Sequence, residues 1–126
     1  MIIGIGIDTV SISRIERLID QRGEKFLRKV FSRSEIEEGM RRAKSASFFA
    51  ARFAAREAFV KALGTGFRRG ISVRDVEVLK GDLGRPELSF TKQVEDVLGA
   101  RGIARCHLSL SHDGDNAQAV VILEGV

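Results

Sequence analysis

The stretch from Phe48 to Gly66 (FFAARFAAREAFVKALGTG) constrains this chain most. It is dominated by good helix formers, with no proline and no glycine before Gly64. Ser47 is placed to cap its start, and Gly64 can adopt the left-handed conformation that stops a helix. The pattern predicts a helix over Phe48–Leu63, about 24 Å long at ~1.5 Å per residue. On a helical wheel Phe48, Phe49, Phe53, Phe59, Val60 and Leu63 share one broad side, and Ala50, Ala51, Ala54, Ala55, Ala58 and Ala62 cover most of the other. A helix apolar on nearly all sides belongs at the centre of a domain, and small residues on one side admit another backbone or a ligand. Yet Arg52, Arg56, Glu57 and Lys61 lie in it. Glu57 and Lys61 are one turn apart on one face. On a solvated helix they would form a salt bridge worth about a few tenths of a kcal/mol. In apolar surroundings such charges need another reason to be there.

A chain of 126 residues suits one domain spanning 1–126, with a core that association between copies would enlarge. The single cysteine, Cys106, cannot form an internal disulfide and fits a reducing, cytoplasmic setting. Its alternating context makes it a core filler rather than a nucleophile. Met1 leads straight into a strand-like run, so no secretory leader is expected, nor any membrane-spanning segment. The formal net charge of +4 is concentrated: residues 14–44 carry ten Lys/Arg against six Asp/Glu, and the rest is balanced. A local basic excess points to an acidic partner.

Residues Ile2–Asp8 (IIGIGID) alternate, with Ile3, Ile5 and Ile7 on one face and Gly4, Gly6 and Asp8 on the other. The pattern predicts a strand ending in a carboxylate, its glycine face kept bare for a close neighbour. Ser13 with Glu16, and Ser32 with Glu35, have capping-box spacing and predict helix starts, with Gly23 breaking the helical run between them. Arg41–Ser45 is expected as a basic loop, and Phe67–Gly70, with Arg68 and Arg69, as a basic turn. Further strands are expected at Asp75–Lys80, Glu87–Phe90, Cys106–His112 and Ala117–Glu124, with a loop at Gly81–Pro86 and a hairpin turn at Asp113–Asn116. A helix around Val94–Leu98 should stop at Gly99. The order predicts an α+β domain.

Asp8 and Glu57 converge if the glycine face of the first strand packs on the alanine face of the long helix. Two carboxylates open to water suit Mg²⁺ held together with substrate phosphates. Lys61 could meet a phosphate oxygen, and the Gly64-Thr65-Gly66 turn could offer backbone N–H groups to anions. Together these point to metal-assisted chemistry on a phosphate ester or diphosphate. GIGID has neither the third glycine of a dinucleotide fingerprint nor the ending of a P-loop. His107 and His112 lack partners at zinc-ligand spacing; His107 fits a strand surface, and His112, beside a turn, could reach a ligand.

These residues resemble the bacterial holo-[acyl-carrier-protein] synthases of the 4′-phosphopantetheinyl transferase superfamily. The likeness rests on GIGID at Gly4–Asp8, Arg14-Ile15, FAAREAFVKALGTG at Phe53–Gly66, LSLSHD at Leu108–Asp113 and the AQAVVILE strand. It implies that family's fold, a mainly antiparallel sheet wrapped around a long central helix. It implies transfer of the phosphopantetheine arm of coenzyme A to a serine of apo acyl carrier protein in fatty acid biosynthesis, with release of adenosine 3′,5′-bisphosphate. By that resemblance Asp8 and Glu57 hold Mg²⁺, and Lys61 contacts phosphate. Gly64, Thr65 and Gly66 shape the nucleotide pocket, and Lys44, Arg52 and His112 contact the adenine nucleotide. Arg14, Arg22, Lys25, Arg28 and Lys29 meet the acidic carrier. The resemblance also implies a homotrimer with active sites at subunit interfaces. The serine proton goes to Glu57 or to a water, and the residues leave both open.

Two other readings compete. A Mg²⁺-dependent nuclease would use Asp8, Glu57 and Lys61, but no aromatic stacking residues are interleaved with the basic region to hold nucleic acid. A noncatalytic basic module binding an acidic partner would leave the Asp8–Glu57–Lys61 set without a role.

Overall fold

The computed structural model describes residues 1–68 and 70–126; Arg69, part of the expected basic turn, lies outside the described residues. The elements run β1 (Ile2–Ser11), α1 (Ile12–Arg22), α2 (Glu24–Val30), α3 (Arg33–Met40), α4 (Ser45–Leu63), β2 (Val76–Lys80), β3 (Pro86–Phe90), α5 (Lys92–Ala100), β4 (Ile103–Asp113) and β5 (Asn116–Gly125). Short 3-10 turns at Val73–Asp75 and Asp82–Gly84 flank β2. One antiparallel sheet has the order β1-β5-β4, and β2 with β3 forms a separate antiparallel pair. The architecture is the α+β arrangement expected, with α4 at its centre.

The two sides of α4 meet different neighbours. Its alanine side lies on the sheet, where Gly4 and Gly6 of β1 come against the helix backbone. A Cβ on Gly6 would sit 1.9 Å from the Ala58 carbonyl oxygen, and one on Gly4 would sit 2.1 Å from that of Ala62. The spacing matches because two strand residues advance about 6.6 Å and four helix residues about 6 Å. The bare face of β1 is thus filled by helix backbone. The phenylalanine side packs elsewhere: Phe49 lies 4.9 Å from the Phe31 ring at the end of α2, and Phe59 lies 4.8 Å from Phe90 of β3.

Several boundaries differ from expectation. β1 continues three residues past Asp8, pairing Asp8 with Ala119 and Ser11 with Asn116, so Asp8 sits within the strand rather than at its end. The capping box at Ser13 and Glu16 does not form. Helix α1 starts at Ile12, Ser11 caps it, and Ser13 turns its N–H and hydroxyl to Asp115. Helix α4 begins at Ser45, three residues before Phe48, because Ala46 and Ser47 extend the helix inward and leave Lys44 as its cap. Helix α5 runs through Gly99 to Ala100, since one glycine in a last turn costs only about 1 kcal/mol. The capping box at Ser32 and Glu35 forms in both directions.

Glu35 does more than cap. It is buried and paired with the buried Arg56 of α4 through both guanidinium ends. Arg56 also donates to the Val73 carbonyl at 3.1 Å and the Arg52 carbonyl at 3.3 Å. The backbone N–H of Val78 reaches Glu35 at 3.4 Å. This network ties α3, α4 and β2 together, and every member shares in satisfying it.

Candidate active site

Gly4, Gly6 and Asp8 share the face of β1 that lies on α4, so the close packing of the glycines carries the Asp8 carboxylate to the helix. There Lys61 Nζ donates to Asp8 Oδ1 at 2.8 Å and to the Ile7 carbonyl at 3.0 Å. The Asp8 side chain is only 14% exposed, while that of Lys61 is 53% exposed and free to swing outward. Glu57 stands one turn back along α4. Partial burial pushes its carboxyl above the usual glutamate range, and the nearby Asp8 carboxylate pushes it further, against the pull of Lys61 and Arg14. The two carboxylates therefore feel each other, as the sequence predicts, and Arg14 at the start of α1 is within electrostatic reach. The intrahelical Glu57–Lys61 bridge is not formed; the lysine pairs with Asp8 instead.

Two repelling carboxylates with one tethered lysine fit a divalent cation. Among the described residues no group of three or more His, Cys, Asp or Glu stands together. Asp8 and Glu57 would thus supply few ligands and leave positions for water and phosphate oxygens, the pattern Mg²⁺ favours.

A second constellation lies on the other side of α4. Lys44, Arg52 and His112 line one cavity of about 320 Å³ with Arg42, Ser47, Phe48, Leu110 and Ser111. The Arg52 guanidinium stacks on the Phe48 ring, 3.7 Å from its centroid, with Arg42 at 5.1 Å from the same ring. Burial pushes the Arg52 pKa below the ordinary arginine value, and the cations Arg42 and Arg56 add to that. Among the described residues its buried Nε has no hydrogen-bond acceptor. Arg42 and Lys44 are exposed and Glu38 holds Arg42 at 2.7 Å, so the half-buried Arg52 is the cation of this set best suited to an anion. Arg42 and Arg52 were not linked by sequence spacing; only the cation-stacking pattern around Phe48 reveals them as a pair.

Gly64 ends α4 with φ 81°, as expected of a left-handed stop. The N–H groups of Gly64, Thr65 and Gly66 all point back to the Val60 carbonyl at 3.0, 3.3 and 3.4 Å. The turn as it stands therefore offers shape rather than free donors. Gly64 and Thr65 line a hollow with Arg68, Ile71 and Arg101, apart from the Arg52 cavity.

The expected carrier-facing residues Arg14, Arg22, Lys25, Arg28 and Lys29 are all exposed on α1 and α2. Arg28 is held by Glu24 at 2.5 Å. Cys106 is half-buried, and burial pushes its thiol up to about 11, which suits a core filler and not a nucleophile. His107 pairs with Glu124 at 2.9 Å on the outer face of the sheet.

Residues 4–120 match the model of the 4′-phosphopantetheinyl transferase superfamily. The chain belongs to that superfamily. It is 49% identical over 124 residues to the holo-[acyl-carrier-protein] synthase of Trichlorobacter lovleyi, covering 98% of each chain. The fold of the Neisseria meningitidis holo-[acyl-carrier-protein] synthase superposes with a TM-score of 0.91 at 39% identity, covering 98% of this chain and 99% of that one. The Bacillus anthracis synthase in complex with coenzyme A (3′,5′-ADP) superposes at 0.82 with 34% identity, over 100% and 99% of the two chains. The fold described above is thus a phosphopantetheinyl transferase fold along its whole length. This membership sets aside the nuclease and the noncatalytic module.

Proposed function

We infer that this chain transfers the 4′-phosphopantetheine arm of coenzyme A to a serine of apo acyl carrier protein, in support of fatty acid biosynthesis, and that residues 1–126 form one transferase domain. The observation that carries the site assignment is the meeting of Asp8, Lys61 and Glu57 where β1 packs on α4. Asp8 and Glu57 would hold Mg²⁺, which when bound neutralises negative charge on the diphosphate and its departing oxygens. Lys61 leaves Asp8 for a phosphate oxygen when the diphosphate arrives, a short swing for an exposed, flexible side chain. The serine oxygen bonds to the phosphorus bearing the pantetheine, the bond to the nucleotide phosphate breaks, and adenosine 3′,5′-bisphosphate leaves. The serine proton goes to Glu57 or to a water that Glu57 or the metal would orient. Lys44, Arg52 and His112 bind the anionic nucleotide, and the Gly64–Gly66 turn, apart from that cavity within one chain, shapes the pocket where two copies meet. Arg14, Arg22, Lys25, Arg28 and Lys29 steer the acidic carrier to the site.

The two halves of this site lie on roughly opposite sides of α4. At about 100° per residue, Lys44, Phe48 and Arg52 face away from Glu57 and Lys61. In the sheet, β1 with Asp8 and β4 with His112 flank β5, about 10 Å apart. One chain cannot fold coenzyme A around its own helix. A second copy placed against the sheet supplies the missing half, which supports a homotrimer with each site at a subunit interface. The outer face of β1 supports the same reading: Ile5 and Ile7 are each 60% exposed, beside the partly exposed Val120 and Ile122 of β5. Such a patch marks an interaction surface. Among the described residues no helix is long and apolar enough to cross a membrane, and with soluble substrates the cytoplasm is the fitting location.

The test is direct. Incubation with coenzyme A, Mg²⁺ and apo acyl carrier protein should raise the carrier's mass by one phosphopantetheine arm. An unmodified carrier, with Mg²⁺ and coenzyme A in excess, would overturn the assignment.

A further inference from the structure

Helix α1 carries Arg14 within electrostatic reach of Glu57, yet its first turn contains no acidic residue of its own. The first N–H groups of any helix need acceptors, and a negative charge is favoured there. The acceptors come from Asp115, about a hundred residues away in sequence, in the turn between β4 and β5. The Asp115 carbonyl accepts from Ile12 N–H at 2.7 Å. One carboxylate oxygen accepts from Ser13 N–H at 2.9 Å. The other accepts from the hydroxyls of Ser11 at 2.7 Å and Ser13 at 2.9 Å. Ser11 Oγ in turn accepts from Arg14 N–H at 3.3 Å. Three successive N–H groups thus end on Asp115, two directly and Arg14's through Ser11. These bonds hold the carboxyl of Asp115 below the usual aspartate range.

We propose that Asp115 is a positioning residue for carrier recognition: it fixes the first turn of α1, and so the place from which Arg14 meets the acyl carrier protein. Asp115 touches neither phosphate nor carrier. The same turn follows His112 of the nucleotide cavity, so its geometry is set on one side by β4 and β5 and on the other by α1. The register of the hairpin is thereby passed to the docking edge. Loss of the Asp115 carboxylate frees Ser11 and Ser13 and lets the first turn fray, while the buried Ile15 keeps the rest of α1 seated on the core.

The proposal rests on the transferase reading and is tested within it. Steady-state transfer is measured for the wild type, Asp115→Ala, Arg14→Ala and the double variant. Asp115→Asn, which keeps an oxygen for Ser13 N–H, is the second variant should Asp115→Ala fold poorly. Asp115→Ala is expected to raise KM for apo acyl carrier protein about tenfold, with kcat and KM for coenzyme A within about twofold of wild type, and Asp115→Asn to recover part of the loss. In the double variant the Asp115 substitution should add less than about twofold to the effect of Arg14→Ala, because it acts through Arg14. Full multiplication of the two effects, an unchanged carrier KM, or a fall in kcat with both KM values intact would overturn it. Absence of transfer by the wild type would count against the transferase reading instead.

Discussion

Glu57 is held in the folded protein under conditions that disfavour its charge. Its pKa is raised by burial and by Asp8, so its contribution to stability is present below the ordinary glutamate value of 4.5 and is lost as pH rises through the folded value. At neutral pH the ionised carboxylate therefore opposes folding in protein without added metal. Glu57→Gln should raise the melting temperature of that protein at pH 7 while cutting transfer by about 10² or more. A less stable variant, or one with near-normal turnover, would contradict this. Arg56, the next residue back, is a structural charge with no route to substrate. Arg56→Ala leaves Glu35 buried without its partner and should cost about 3–5 kcal/mol in urea unfolding. A loss under about 1 kcal/mol would show that water replaces the pair.

At the scale of elements, the fold depends on how closely β1 approaches α4. Gly6→Ala sets a methyl against the Ala58 carbonyl, and neither backbone can yield without moving Asp8. The variant should lose about 3 kcal/mol of stability and most of its transfer activity, measured by denaturant titration and carrier mass. Wild-type stability would mean that the strand and helix separate more easily than their packing implies. This contact was legible in the sequence, because alternating glycines beside an alanine-faced helix leave few other packings. The approach of Asp8 to Glu57 on those two elements was legible with it. The start of α1 was not: Ser13 and Glu16 satisfy the local capping pattern, and only the distant Asp115 shifts the cap to Ser11. The Arg56–Glu35 pair was hidden for a similar reason, since its partners are separated by 21 positions and Glu35 had a sufficient local role as a cap. Local spacing identifies groups that meet through one helix turn or one strand face, and it is silent on groups brought together by tertiary packing.

Across the whole molecule, the exposed Ile5 and Ile7 on the outer sheet face and the placing of Arg52 and Glu57 on different sides of α4 are what support the proposed homotrimer. Ile5→Asp, on the outer face and away from the reacting groups, should convert a sedimenting trimer to monomer and abolish transfer together. An active monomer would refute the shared site. The pairing of β1 with β5 has a kinetic consequence as well. Strand β1 finds its strand partner among residues 116–125, about a hundred positions further along the chain. During translation the isoleucine-rich β1 must wait without its strand partner until β5 has left the ribosome. Contacts of such long sequence separation slow folding, so the nascent chain spends its most aggregation-prone interval with that segment unguarded, and a chaperone that binds extended apolar peptides would find it there.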